Sequence, residues 1–94
     1  MKAVVFKNKK ISLTDVPMPV LSENEALVKI HLAGICSTDF ELLKGYHNFA
    51  GIPGHEFVGT VRSAPARKEL EGRRVVADIN CGCGACDICL TGDQ

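Results

Sequence analysis

Apolar and polar positions in the first third of the chain alternate with the period of two that marks half-buried β-strands. Ala3-Val4-Val5-Phe6 is a short apolar run, and Lys7-Asn8-Lys9-Lys10 is a polar turn. Ile11-Ser12-Leu13-Thr14-Asp15-Val16 then alternates, placing Ile11, Leu13 and Asp15 on one face. Pro17 and Pro19 end that strand, because neither can donate to a ladder. After the polar loop Ser22-Glu23-Asn24-Glu25, the apolar Val28, Ile30 and Leu32 alternate with Lys29 and His31 in a third strand. From Ser37 to Lys44 the pattern turns helical. Thr38 and Glu41 have the spacing of a capping box, and Gly45 stands where the helix closes. Tyr46 to Pro53 is a loop, and Phe57-Val58-Gly59-Thr60-Val61 is a strand that Ala64-Pro65-Ala66-Arg67-Lys68 breaks. Arg74-Val75-Val76-Ala77 is a last strand and runs into a group of cysteines. Short strands with turns roughly every ten residues predict a mainly β fold: a small, partly open β-barrel with one short helix and a Cys-rich loop.

Composition narrows the class. At 94 residues the chain is of single-domain size, and 46% hydrophobic residues exclude a disordered polymer. Eleven Lys and Arg balance eleven Asp and Glu with no basic run, which argues against a nucleic-acid partner or an anionic membrane surface. No apolar stretch approaches the roughly 18 residues of a membrane span, and the segment from Met1 to Lys7 is too short for a secretion signal. The expectation is a soluble, cytoplasmic domain.

Cysteine usage carries the first chemical signal. Four of the five cysteines crowd into Cys81, Cys83, Cys86 and Cys89, while Cys36 stands alone. An odd, clustered set does not suit an extracellular disulfide framework and reads instead as metal ligation. Two-residue gaps in Cys83-x-x-Cys86-x-x-Cys89 let successive thiolates turn toward one tetrahedral zinc ion at about 2.3 Å. Gly82, Gly84 and Ala85 keep the loop small enough to wrap around it. A closed structural site needs a fourth ligand. Either Cys81 supplies it, through a tight one-residue gap to Cys83, or the ligand lies beyond Gln94. Gly82-Cys83-Gly84-Ala85-Cys86-Asp87 superficially matches a dinucleotide fingerprint, but Asp87 replaces the third glycine and no helical pattern follows.

A second set joins Cys36-Ser37-Thr38-Asp39 with Gly54-His55-Glu56. One thiolate and one imidazole suit zinc with a position left open for substrate. Asp39 is placed to hydrogen-bond the non-ligating nitrogen of His55, and the Thr38 hydroxyl to take the proton that an alcohol releases. Each residue also has a plainer explanation: Cys36 as a small buried hydrophobe, Thr38 as a helix cap, Asp39 as a favourable charge at a helix start, His55 as a loop histidine. Read together, the set favours the metal.

The order Gly34-Ile35-Cys36-Ser37-Thr38-Asp39, Gly54-His55-Glu56-Phe57-Val58-Gly59, Gly72-Arg73-Arg74-Val75 and then the cysteines resembles the zinc-dependent alcohol dehydrogenases of the medium-chain dehydrogenase/reductase superfamily. The resemblance spans essentially the whole chain. It implies that residues 1–94 are the N-terminal part of a catalytic domain built on a co-chaperonin-like barrel, with 73–94 opening a structural-zinc loop. It also implies catalytic-zinc ligation by Cys36 and His55, with Glu56 approaching that zinc, proton transfer by Thr38, and support of His55 by Asp39. Cys83, Cys86 and Cys89 would be three of four structural ligands. The fourth cysteine, the third catalytic ligand and the dinucleotide-binding domain would lie outside the chain. The function so implied is oxidation of a small alcohol or polyol by hydride transfer to NAD or NADP in a full-length homo-oligomer, with the 94 residues alone inactive. Two departures stand out: Glu41 occupies a position where some relatives carry a relay histidine, and Pro65 or its neighbours replace a frequent glycine. The competing expectation is a non-enzymatic zinc-binding or co-chaperonin-like module. His31, His47 and the Arg67, Lys68, Arg73 and Arg74 group read as exposed surface.

Overall fold

A computed structural model describes residues 1–93. The chain opens with a hairpin of strands β1 (Lys2–Lys7) and β2 (Lys10–Asp15), paired antiparallel from Lys2 opposite Asp15 to Lys7 opposite Lys10. The two connecting residues, Asn8 and Lys9, both have positive φ (52° and 60°), the backbone of the tight turn whose twist matches that of the strands. A second sheet holds β3 (Leu27–Ala33), β4 (Phe57–Ser63) and β5 (Arg74–Val76) in that order, all antiparallel. Helix α1 (Ser37–Leu43) lies between β3 and β4, and a five-residue helix α2 (Asp87–Thr91) follows the cysteine-rich loop. The expected mainly β, partly open arrangement is what forms: five strands in two sheets, with no closed barrel among the described residues. Among the described residues, no helix is long and apolar enough to cross a membrane.

Phe6 ties the hairpin to the rest. Its amide and carbonyl exchange hydrogen bonds with those of Gly51 at 2.8 Å each, and its ring stacks on Phe49 with centroids 6.5 Å apart. Ala3, Phe6, Val61 and Ala64 are the buried apolar residues, a thin core for so apolar a chain. Val4, Ile11 and Leu13 share the face of Phe6 but stay exposed around it, Leu13 to 70%.

A bulge reshapes β3. Ile30 lies opposite Gly59, yet Leu32 lies opposite its neighbour Val58, so His31 is the extra residue. Adjacent positions of β4 face opposite ways, and Leu32 therefore leaves the face of Ile30 and Val28 that simple alternation predicts. It joins Val58 and Val76 on the outer side, where it is 70% exposed. His31 shares a hydrogen bond with Thr60 at 2.8 Å on the surface, as an exposed residue should.

The helix starts differ from the expected ones. Cys36, not Thr38, is the residue before the first turn of α1, and Asp39 reaches back so that its Oδ2 accepts the Cys36 amide at 2.8 Å. Thr38 and Glu41 sit inside the helix, where Glu41 pairs with Lys44 at 2.7 Å. Gly45 closes α1 as expected, with φ 105° and its amide donating to Leu42 O. Helix α2 is an element that the sequence pattern missed. Asp87 opens it, and Gly92, at φ 81°, ends it in the left-handed conformation that glycine accepts readily.

Candidate metal centres

Pairing of β3 with β4 assembles the first centre. Ala33 lies opposite Phe57, so the chain leaving β3 and the chain entering β4 run side by side, and Gly34 donates its amide to Glu56 O at 2.9 Å. Cys36 follows on one side, and His55 and Glu56 arrive on the other. Cys36 Sγ and His55 Nε2 stand 3.1 Å apart. On the far edge of the ring, His55 Nδ1 faces Asp39 Oδ1 at 3.6 Å, while the second oxygen of Asp39 accepts the Cys36 amide. Asp39 is buried, and its Oδ1 has no hydrogen-bond partner within normal range. An orphaned buried carboxylate oxygen is costly unless something nearby holds a proton or a positive charge for it. A protonated Nδ1 is the group positioned to do so, which leaves Nε2 with its lone pair turned toward the Cys36 sulfur.

Those donors fit zinc. A thiolate and an imidazole bound to one tetrahedral ion stand about 3.6 Å apart, half an ångström from what is seen. One donor atom from each of Cys36, Asp39 and His55 lies within 4.8 Å of the others. Asp39 meets the ring on the nitrogen opposite the sulfur, which is the place of a group that orients a ligand. Glu56 is half exposed, with Oε1 4.0 Å from His55 Nε2. Thr38 lies on the solvent side of α1, where it lines an open cleft of about 190 Å³ together with Ser37, Glu41 and Tyr46. His47 is exposed beside that cleft, its ring edge-on to Tyr46 at 4.1 Å.

The second centre is local. Cys83, Cys86 and Cys89 bring their sulfurs within 4.8 Å of one another, and Cys81 does not belong to that group. Cys83 Sγ and Cys89 Sγ are 3.7 Å apart, far longer than a disulfide and close to the roughly 3.8 Å of two sulfurs on one tetrahedral zinc. Gly84, at φ 73°, turns the chain between Cys83 and Cys86. The amides of Ala85 and then Cys86 point at the Cys83 sulfur, and the Cys86 and Cys89 thiols add to them, lowering the Cys83 pKa to about 7. Helix α2 starts just after Cys86 and carries Cys89 inward. All five cysteines are free thiols.

The two groups on an open antiparallel scaffold define a small β module with two places where a metal ion could be held. The alcohol dehydrogenase GroES-like domain family matches residues 22–94, and the chain belongs to that family. It is 35% identical to the D-altritol 5-dehydrogenase of Agrobacterium fabrum over 98 residues, which cover 98% of this chain and 29% of that protein. Among solved structures, a zinc-dependent alcohol dehydrogenase from Streptococcus pneumoniae, in its apo form, superposes with a TM-score of 0.83 at 34% identity, covering 98% of this chain and 28% of the other. A zinc-binding dehydrogenase from Sinorhizobium meliloti bound to NADP superposes at 0.80 and 38% identity, covering 97% and 28%. The chain thus spans less than a third of the length of these relatives.

Proposed function

We propose that this chain is the metal-binding N-terminal part of the catalytic domain of a zinc-dependent alcohol dehydrogenase acting on a small alcohol or polyol. The observation that carries the reading is the placement of His55 between Cys36 and Asp39, one ring nitrogen facing a thiol and the other a buried carboxylate. Zinc and zinc-binding appear in the names of two structural relatives, and a polyol substrate in that of a curated one. When bound, zinc supplies Lewis acidity and NAD or NADP a hydride acceptor.

The chain's own residues do the rest. Cys36 and His55 hold the catalytic metal, with Glu56 beside it. Asp39 keeps the proton on His55 Nδ1 and fixes the ring, so that Nε2 stays a ligand. Thr38 Oγ1 takes the proton that the substrate hydroxyl gives up and hands its own toward solvent. Cys83, Cys86 and Cys89 hold a second, structural zinc, and residues 73–94 open the loop that surrounds it. The nicotinamide site lies outside residues 1–94 in this reading, and the working enzyme is a cytoplasmic homo-oligomer with no nucleic-acid or membrane partner.

The test is alcohol-dependent NAD(P)⁺ reduction by the full-length protein, alongside metal analysis. Turnover that requires zinc and is lost in His55→Ala is expected, with no turnover from the 94 residues alone. Full activity after complete zinc removal, or a metal-free full-length protein, would contradict the proposal.

A further inference from the structure

Gly34 is a glycine without a backbone reason to be one. Its φ lies outside the left-handed region, so its conformation is open to any L-residue. Space is the constraint. A Cβ built there would sit 2.9 Å from Glu56 Oε2 and 3.4 Å from Glu56 Cβ, and every close atom belongs to the Glu56 side chain. Gly59 makes the contrast: a Cβ there would strike Lys29 O at 2.6 Å and Val28 Cγ1 at 2.5 Å, a collision with the sheet itself. At Gly34 the obstructing atom is the free end of a flexible carboxylate, which can move without disturbing the backbone.

That carboxylate faces the Nε2 edge of His55, opposite the edge that Asp39 faces. Oε2 rests over Gly34, while Oε1 lies 4.0 Å from His55 Nε2. The Gly34 amide also donates to Glu56 O, so backbone and side chain of Glu56 are seated on the same residue. We infer that Gly34 is a positioning residue of the metal centre: its missing side chain leaves the space in which the Glu56 carboxylate rests beside His55. A methyl group at Gly34 drives the carboxylate off that seat and removes a negative charge from the edge of the cation site, and the cation is then held less firmly. This inference rests on the zinc reading proposed above and adds a residue that touches neither metal nor substrate.

Zinc release from the full-length protein into a chromogenic chelator tests it. Gly34→Ala is expected to speed release from the Cys36 site by about tenfold, the scale on which groups behind metal ligands act. In a Glu56→Ala background the same substitution changes nothing further. Pairing Gly34→Ala with Glu56→Asp, whose shorter side chain withdraws from the new methyl, restores slow release. Unaltered or slower release in Gly34→Ala overturns the inference, as does an equal effect in the Glu56→Ala background, which would make Gly34 a structural residue like Gly59. Zinc that binds and is lost on Cys36→Ser, yet ignores Gly34→Ala, overturns this inference alone. A protein with no zinc that Cys36→Ser removes overturns the zinc reading as well.

Discussion

The two candidate metal centres are assembled by opposite means. Cys36 and His55 lie 19 residues apart and meet only because β3 pairs with β4, with Asp39 pinned beneath them by the first turn of α1. Cys83, Cys86 and Cys89 sit within seven residues, on a surface loop whose hydrogen bonds are its own. The first centre is half-buried and held by the sheet and by the first turn of α1. The second lies at the surface, Cys83 and Cys86 exposed and Cys89 half-buried, with little packing around its three thiols. A reactive centre gains from a rigid, water-poor frame, whereas a structural clip can be local.

The largest effects should separate the two. Cys36→Ser is expected to abolish turnover in the full-length protein while the cysteine loop keeps its zinc. Cys83→Ser should lose the loop zinc and lower thermal stability, with the Cys36 zinc retained. Metal content per chain and the melting temperature of each variant check this, and loss of both ions from either variant would merge the two centres into one unit. Next in size, Asp39→Asn keeps an acceptor for the Cys36 amide but offers His55 Nδ1 no carboxylate. Zinc affinity or turnover is expected to fall about 10- to 100-fold at the first centre and not at all at the second, as read by metal titration.

The thiols sharpen the contrast further. In metal-free protein, Cys83 is exposed and held toward thiolate by the Ala85 and Cys86 amides, with a pKa of about 7. Below that pH it is a protonated, slow thiol, and above it a thiolate. Alkylation by iodoacetamide at neutral pH should therefore mark Cys83 about tenfold faster than an ordinary exposed cysteine, with a rate that rises through pH 7. Peptide mass mapping over a pH series gives the midpoint. The smallest effect belongs to Gly84. Its φ of 73° is unfavourable for alanine, although a Cβ there meets nothing within 4 Å, so Gly84→Ala costs only backbone strain, roughly 1 kcal/mol. Loop zinc should weaken about fivefold, and the Cys36 centre should not respond.

How much of this was readable in the chain follows from the same contrast. The cysteine loop was legible because its ligands are neighbours, and two-residue spacing alone brings thiols together. The turn at Asn8 and Lys9, the strand ends and the Gly45 helix stop were legible because local backbone preference decides them. What escaped was either non-local or too short to leave a pattern. The bulge at His31 sends Leu32 to the outer face, and no alternation rule announces an inserted residue. The helix start moved from Thr38 to Cys36 because Asp39, which also faces His55, is the better-placed carboxylate for the Cys36 amide. Helix α2 was too short for a periodic signal, and Gly92 was the one residue that could have flagged it. Gly34 reads as an ordinary glycine until Glu56 is set across from it.

In the proposed enzyme, Cys36 and His55 hold a zinc ion through sulfur and imidazole nitrogen. X-ray absorption at the zinc edge of the full-length Cys83→Ser/Cys86→Ser variant, with the loop site removed, measures it most directly. Bound zinc with a mixed shell is expected, sulfur at about 2.3 Å and nitrogen or oxygen at about 2.0–2.1 Å, which disappears on adding Cys36→Ser. A shell without sulfur, or zinc retained unchanged after Cys36→Ser, would contradict it.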